Sequence, residues 1–448
     1  MTSTSVPGGV ATPRPAAFSL SNRIASAMAA RGLFYGWTVA GATFLVMLAT
    51  AGAMGAPGVI IQPLEKEFGW STAEISVALS VRLALFGLIA PFAAAFINHF
   101  GVRVVVVCAV AMIAGGILVS MAMTEVWQLV ALWGVVVGIG TGMVALVLGA
   151  TTATRWFVDR RGLVVGMLTA SNATGQLIFL PLIAKLTQDY GWRTALAFVV
   201  VLLLAAGVVA LLLLRDRPSD IGLPAYGARS VEPAPRQDSS LTAMMASPLH
   251  ALYAARASRT FWVLFATFFV CGLSTNGLIQ THWVSLCGDY GIAPVAAAGA
   301  LAVIGAFDFV GTILSGWLSD RYDNRFLLFM YYGLRGLSLI ALPFTSFSLV
   351  GLSAFAVFYG LDWVATVPPT VRLTAEKFGA EKANLTFGWI FTAHQLGAAT
   401  AAFGAGLSRS DLSTYLPALY IAGVACLVAA SLALTIAPKR PKEALATA

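Results

Sequence analysis

Twelve stretches of about twenty or more residues, predominantly apolar and nearly free of charge, recur along this 448-residue chain. A bilayer core of about 30 Å needs roughly 20 apolar residues for one helical crossing. Each stretch is therefore long enough to span a membrane, and inside lipid only helices or closed barrels satisfy every backbone group. The alternating pattern of a β-barrel is absent. The spans read as 37–61, 75–97, 104–123, 127–150, 162–186, 194–214, 261–285, 294–318, 327–346, 349–372, 384–407 and 415–437. The expected fold class is an all-α membrane protein of about twelve helices. Hydrophobic residues make up 59% of the chain and charged residues only 10%, against about 25% charged in soluble domains.

The net charge of +8 is distributed as a topology signal and not as a nucleic-acid surface. Basic residues crowd alternate connections: Arg14, Arg23 and Arg31 before the first span, Arg155, Arg160 and Arg161 after the fourth, and Lys439, Arg440 and Lys442 after the last. By the positive-inside rule those segments and both termini are cytoplasmic, with a bacterial inner membrane as the expected location. Residues 1–36 read as an N-terminal tail, 37–214 as one six-helix half, 215–260 as a Pro-rich cytoplasmic linker, 261–437 as a second half, and 438–448 as a C-terminal tail. Residues 1–31 are read as a disordered cytoplasmic tail, with an organellar transit peptide as the alternative that their Arg and Ser content without any acid offers. Cys108, Cys271, Cys287 and Cys426 fall in or beside apolar spans without metal-ligand spacing and read as packing residues.

The halves repeat at an offset of 222 residues. Asn98, His99 and Arg103 correspond to Asp320, Arg321 and Arg325; Arg155, Asp159 and Arg160 to Lys377, Glu381 and Lys382; Gly166, Asn172 and Gly175 to Gly388, His394 and Gly397. A six-span duplication is a parallel repeat, which implies an axis along the membrane normal and alternating access by rocking halves.

Gly316, Asp320, Arg321 and Arg325 match the loop signature of Gly, three residues, Asp-Arg, three residues, basic, and the chain here resembles the major facilitator superfamily. The copy beginning at Ala94 is degenerate. The run Arg-Trp-Phe-Val-Asp-Arg-Arg-Gly-Leu-Val-Val-Gly from Arg155 to Gly166, continued to Gly175, and Phe34-Tyr-Gly-Trp before the first span are similar to the monocarboxylate porter family. This resemblance implies secondary transport of a small organic anion such as a monocarboxylate, by proton symport. In that family the eighth helix carries Asp followed four residues later by Arg. Asp308 matches the first position, but the second is Thr312, so Arg335 or Arg82 has taken over the cation's role or the substrate differs.

Ionisable groups deep in spans are functional candidates by default; here they are Arg82, Asp308, Arg335, Asp362 and His394. At 1.5 Å rise per residue, the last four lie roughly 12–16 Å from the cytoplasmic ends of their helices. His394 can titrate near neutral pH. Asn172 occupies the equivalent place in the first half. Asn276 and Gln280, four apart, share one face of the seventh span. Each has a plain reading beside the functional one: Asp308 and Arg335 lock two helices, Asp362 hydrogen-bonds at a helix break before Pro368 and Pro369, Arg82 snorkels outward, and the amides satisfy neighbouring helices. Arg103, Gly316, Asp320, Arg321 and Arg325 are candidates for a conformational latch. Efflux of amphipathic compounds through an aromatic cavity (Tyr359, Trp363, Trp389), organic-anion exchange and a membrane sensor are the alternatives. An enzyme is disfavoured because no nucleophile–base set, metal cluster or nucleotide loop is visible, and Gly138, Gly140 and Gly142 read as helix packing. No cofactor and no obligatory protein partner is expected.

Overall fold

The computed structural model describes residues 20–144, 146–231 and 240–437. Among these, ten helical stretches are long and apolar enough to cross a membrane: Gly36–Phe68, Thr72–Phe100, Val102–Ser120, Val126–Trp156, Trp192–Leu213, Arg259–Asp289, Pro294–Ser319, Asn324–Thr345, Leu349–Phe378 and Leu416–Ala433. Arg161–Tyr190 and Ala380–Leu412, of 30 and 33 residues, fill the fifth and eleventh places. Twelve helical stretches thus follow in the expected order, and these two pack across the halves, the fifth on the eighth and the eleventh on the second.

Tight corners set the helices antiparallel. Ser71 and Glu74 form a reciprocal capping box at the start of the second span. Gly101 and Gly379, at φ 84° and 79°, turn the chain between spans two and three and between ten and eleven; that left-handed geometry suits glycine. Within the halves the first span packs on the fifth and sixth, and the seventh on the eleventh and twelfth. Gly175 lies against the backbone of Leu48 and Gly397 against that of Phe269. The two glycines, 222 residues apart, play the same part, since both let the fifth or eleventh helix touch the helix that opens its half.

Across the halves the second span meets the eleventh, the fifth meets the eighth, and the first meets the seventh. Both ends of the helical bundle lie at one face: Tyr35 donates to the Leu213 carbonyl at 2.8 Å and Arg325 to that of Ile436 at 3.1 Å. At the opposite, far face the halves are in contact. There the Ala73 N–H donates to Ser410 Oγ at 2.9 Å, and within the second half Arg409 pairs with Asp289 at 2.8 Å. Gly58 abuts the Gln280 and Thr281 carbonyls.

One expectation is corrected: part of the N-terminal tail, Leu20–Ala29, is helical. The linker also carries a helix, Leu241–Ala255. The linker helix lies on the second and eleventh spans, where the Pro248 carbonyl accepts from the Trp389 indole at 2.7 Å. The tail residues 1–19 and 438–448 lie outside the described residues.

Candidate functional site

The tenth span is interrupted between Asp362 and Val367, and its sequence explains why. Pro368 and Pro369 have no N–H to give to the carbonyls of Val364 and Ala365 four residues earlier, and proline rings crowd the preceding turn. Exposed backbone groups inside a membrane protein need other partners. Three helices supply them. From the ninth span Arg335, 1% exposed, donates to the Asp362 and Trp363 carbonyls and, through Nε, to Asp362 Oδ2 at 2.7 Å. From the eighth span Asp308 Oδ1 accepts the Val364 N–H at 2.9 Å, and Ser315 Oγ donates to the Ala365 carbonyl at 2.5 Å. From the seventh span Cys271 Sγ accepts from Arg335 Nη1 at 3.1 Å and contacts Thr366 Oγ1 at 3.2 Å.

The expected pairing of Arg335 with Asp308 is therefore corrected: its partner is Asp362. The reason is geometric, because a guanidinium beside the break can fork onto a carboxylate and two carbonyls at once. Asp308 takes instead a second hydrogen bond from Thr312 at 3.1 Å, so the residue standing where the family has Arg serves this carboxylate. Cys271 is also corrected, from a packing residue to a hydrogen-bonding one. Cys287 and Cys426 are buried and Cys108 is exposed.

His394 completes the group from the eleventh span. Its ring stacks on Phe391 (5.7 Å between centroids, 8°) and lies 5.0 Å from Phe268. Gly272 lets the seventh span touch its carbonyl. Nδ1 of His394 and Oδ1 of Asp362 are buried without a hydrogen-bond partner among the described residues. The Asp308, Arg335, Asp362 and His394 that share one depth in the sequence are thus brought to one locus, together with Cys271, Thr312, Ser315 and Thr366. The serine and threonine had a readable signal: positions 308, 312 and 315 lie on one helical face. Cys271 and Thr366 had none, since only the fold brings span seven to span ten.

Arg82 stands apart, in the first half. It is 5% exposed, and Gly138 lets the fourth span close on its backbone. Nη1 donates to the Met54 carbonyl at 3.3 Å, Nε is buried without an acceptor, and no carboxylate lies within 4.0 Å among the described residues. It does not snorkel to the surface. Asn276 and Gln280 are half-buried in a π-helical stretch, Leu273–Gln280, a geometry that gathers at functional sites. The side chain of Asn172 lies outside the described residues, as do those of Glu381 and Lys382.

At the terminal face the latch candidates make contacts within their own halves. Asp320 pairs with Arg372 of the tenth span, and Arg155 donates to Asn98 at 2.6 Å in the first half, placing an arginine on equivalent loop positions 98 and 320. The Arg103 N–H donates to Asp216 at 3.1 Å. Arg321 lies over Trp317 at 4.2 Å. Arg325 pairs with Asp323 at 2.5 Å, and that hydrogen bond holds the Asp323 carboxyl below its usual range. Gly316 faces open space. Gly138, Gly140 and Gly142 do serve packing, against spans two and three.

The Major Facilitator Superfamily model matches residues 39–402. The chain is 26% identical over 350 residues to an uncharacterized MFS-type transporter, YcxA, of Bacillus subtilis, covering 77% of this chain and 81% of that one. It is 25% identical over 410 residues to monocarboxylate transporter 13 of Rattus norvegicus, covering 90% and 89%. Among solved structures, a D-xylose-proton symporter superposes with a TM-score of 0.69 at 14% identity, covering 90% of this chain and 98% of the other.

Proposed function

The chain belongs to the major facilitator superfamily, and from that premise we propose that this transporter moves a small organic anion of the monocarboxylate class together with a proton. Arg82 carries the reading. Arg335 spends four donor contacts on span ten and Cys271, whereas Arg82 is a buried guanidinium with, among the described residues, an unused donor and no carboxylate beside it. An unpaired cation away from water is costly, and an anion relieves that cost. Arg82 thus takes the place of the cation missing at Thr312. Asn276 and Gln280 supply amides for the substrate's remaining polar atoms.

Asp308 is the proton site. Its two hydrogen bonds both fall on Oδ1, so Oδ2 can take up a proton without the loss of either. The terminal face is the cytoplasmic one, in a bacterial inner membrane, and the far face, where the halves are in contact, opens as the halves rock. Asp320, Arg321 and Arg325 act there as a conformational latch. An aromatic efflux cavity is less well supported, because Tyr359 and Trp389 are committed to backbone carbonyls of Ser274 and Pro248.

The binding half of this reading is tested on purified protein by thermal stabilisation with monocarboxylates and with their uncharged amides. Carboxylates alone should stabilise, and Arg82→Gln should weaken the apparent affinity about 10- to 150-fold, the value of a charge-assisted hydrogen bond of about 1.5–3 kcal/mol. Equal stabilisation by the amides, or an unchanged affinity in folded Arg82→Gln, contradicts it.

A further inference from the structure

The cluster at the break holds two carboxylates and one guanidinium. In a low-dielectric interior one cation cannot serve two carboxylates equally, and whichever it pairs with stays ionised. Arg335 and Asp308 are joined through a single peptide group: the Trp363 carbonyl accepts from Arg335 at 3.1 Å, and the Val364 N–H that follows donates to Asp308 at 2.9 Å. Arg335 is kept on its own side of that peptide by the ion pair to Asp362 Oδ2 and by the Asp362 carbonyl.

We infer that Asp362 is a positioning residue whose task is to hold Arg335 away from Asp308, so that Asp308 remains free to exchange a proton. The inference rests on the assignment of Asp308 as the proton site. The charged and titratable groups gathered there are Arg335 and Tyr332 from span nine, Asp362 and Tyr359 from span ten, Cys271 from span seven, His394, beside Cys271, from span eleven and Cys426 from span twelve; on its own helix Asp308 faces the Thr312 hydroxyl. Paired, Arg335 and Asp362 present Asp308 with nearly cancelling charges. Without the Asp362 carboxylate the guanidinium is uncompensated, and Asp308 becomes its only carboxylate neighbour in the cluster.

The test is an infrared titration of the reconstituted protein, following the protonated-carboxyl band that Asp308→Asn abolishes, alongside the pH profile of uptake. The band reports Asp308 whether or not any carboxylate is carried, so failure of the substrate reading and failure of this inference are separable. Asp362→Asn should move the midpoint to lower pH by about one to three units, the usual effect of an adjacent arginine. Arg335→Gln should move it to higher pH, and the double variant should return it to within about one unit of wild type, as cancelling charges require. Asp362→Glu, which keeps the charge, should stay near wild type. An unmoved or alkaline midpoint in Asp362→Asn overturns the inference. Where that variant does not fold, an unmoved or acid-shifted midpoint in Arg335→Gln, or a double variant displaced beyond that unit, overturns it.

Discussion

Arg335 shows at the scale of a residue how a buried charge is made tolerable. Its side chain is enclosed, and its cost is met by one carboxylate and by the backbone carbonyls of Asp362 and Trp363 at the break in span ten. Ser315 meets the same need more cheaply, and Ser315→Ala should cost about 1 kcal/mol, read as a small fall in the unfolding temperature with uptake retained; an unchanged temperature would show that another group satisfies Ala365. Asp308→Asn keeps an acceptor for the Val364 N–H but cannot release a proton. It should therefore retain substrate exchange at equal pH on both sides while losing accumulation driven by a proton gradient, and accumulation at the wild-type level would remove Asp308 from coupling. The identities of Arg82, Asp308, Arg335, Asp362 and His394 were legible because charge deep in a span is rare. Which of them pair was not, since Asp308 and Asp362 lie at similar depth and only the break in span ten decides between them.

At the scale of elements, helix contacts depend on missing side chains. A Cβ at Gly311 would collide with the backbone carbonyl of Leu361, where the eighth span presses on the tenth just before the break. Gly311→Val should lower stability by about 1–3 kcal/mol, the usual cost of overpacking, and should impair transport more than Gly316→Val, since Gly316 faces open space in this conformation. Equal effects in a thermal unfolding assay would show that the close approach is not needed. The span boundaries were readable from hydropathy, yet the tenth span looked continuous over 349–372. Pro368 and Pro369 marked the break, and the acceptors and donors that repair it come from helices distant in sequence. The helix at Leu241–Ala255 was hidden because its 15 apolar-rich residues are too few to span a bilayer and contain Pro248, and its partner Trp389 lies 141 residues beyond Pro248.

At the scale of the molecule, the repeat was visible as a 222-residue offset, and Gly175 and Gly397 give it a mechanical meaning: each half closes its opening helix on its fifth through a glycine. What the sequence could not convey was that the halves meet at the far face. Ala73 meets Ser410 there, Ser80 donates to the Ala399 carbonyl at 2.8 Å, and Thr392 donates to that of Gly87 at 2.9 Å, so the second and eleventh spans are zipped from the far face inward. A disulfide between Ala73→Cys and Ser410→Cys, in a background without the native cysteines, should arrest transport until it is reduced; undiminished flux in the cross-linked protein would rule out opening at that seam.

In this transporter an anion and a proton are proposed to cross together. The most direct test is uptake of labelled mono- and dicarboxylates into proteoliposomes, with and without an inward proton gradient, while lumenal pH is recorded. Gradient-stimulated uptake of a monocarboxylate with matching lumenal acidification is expected, and Arg82→Gln should need about 10- to 150-fold more substrate for the same uptake. Absence of carboxylate flux from demonstrably folded protein, or flux indifferent to the gradient and without proton movement, would contradict the joint crossing.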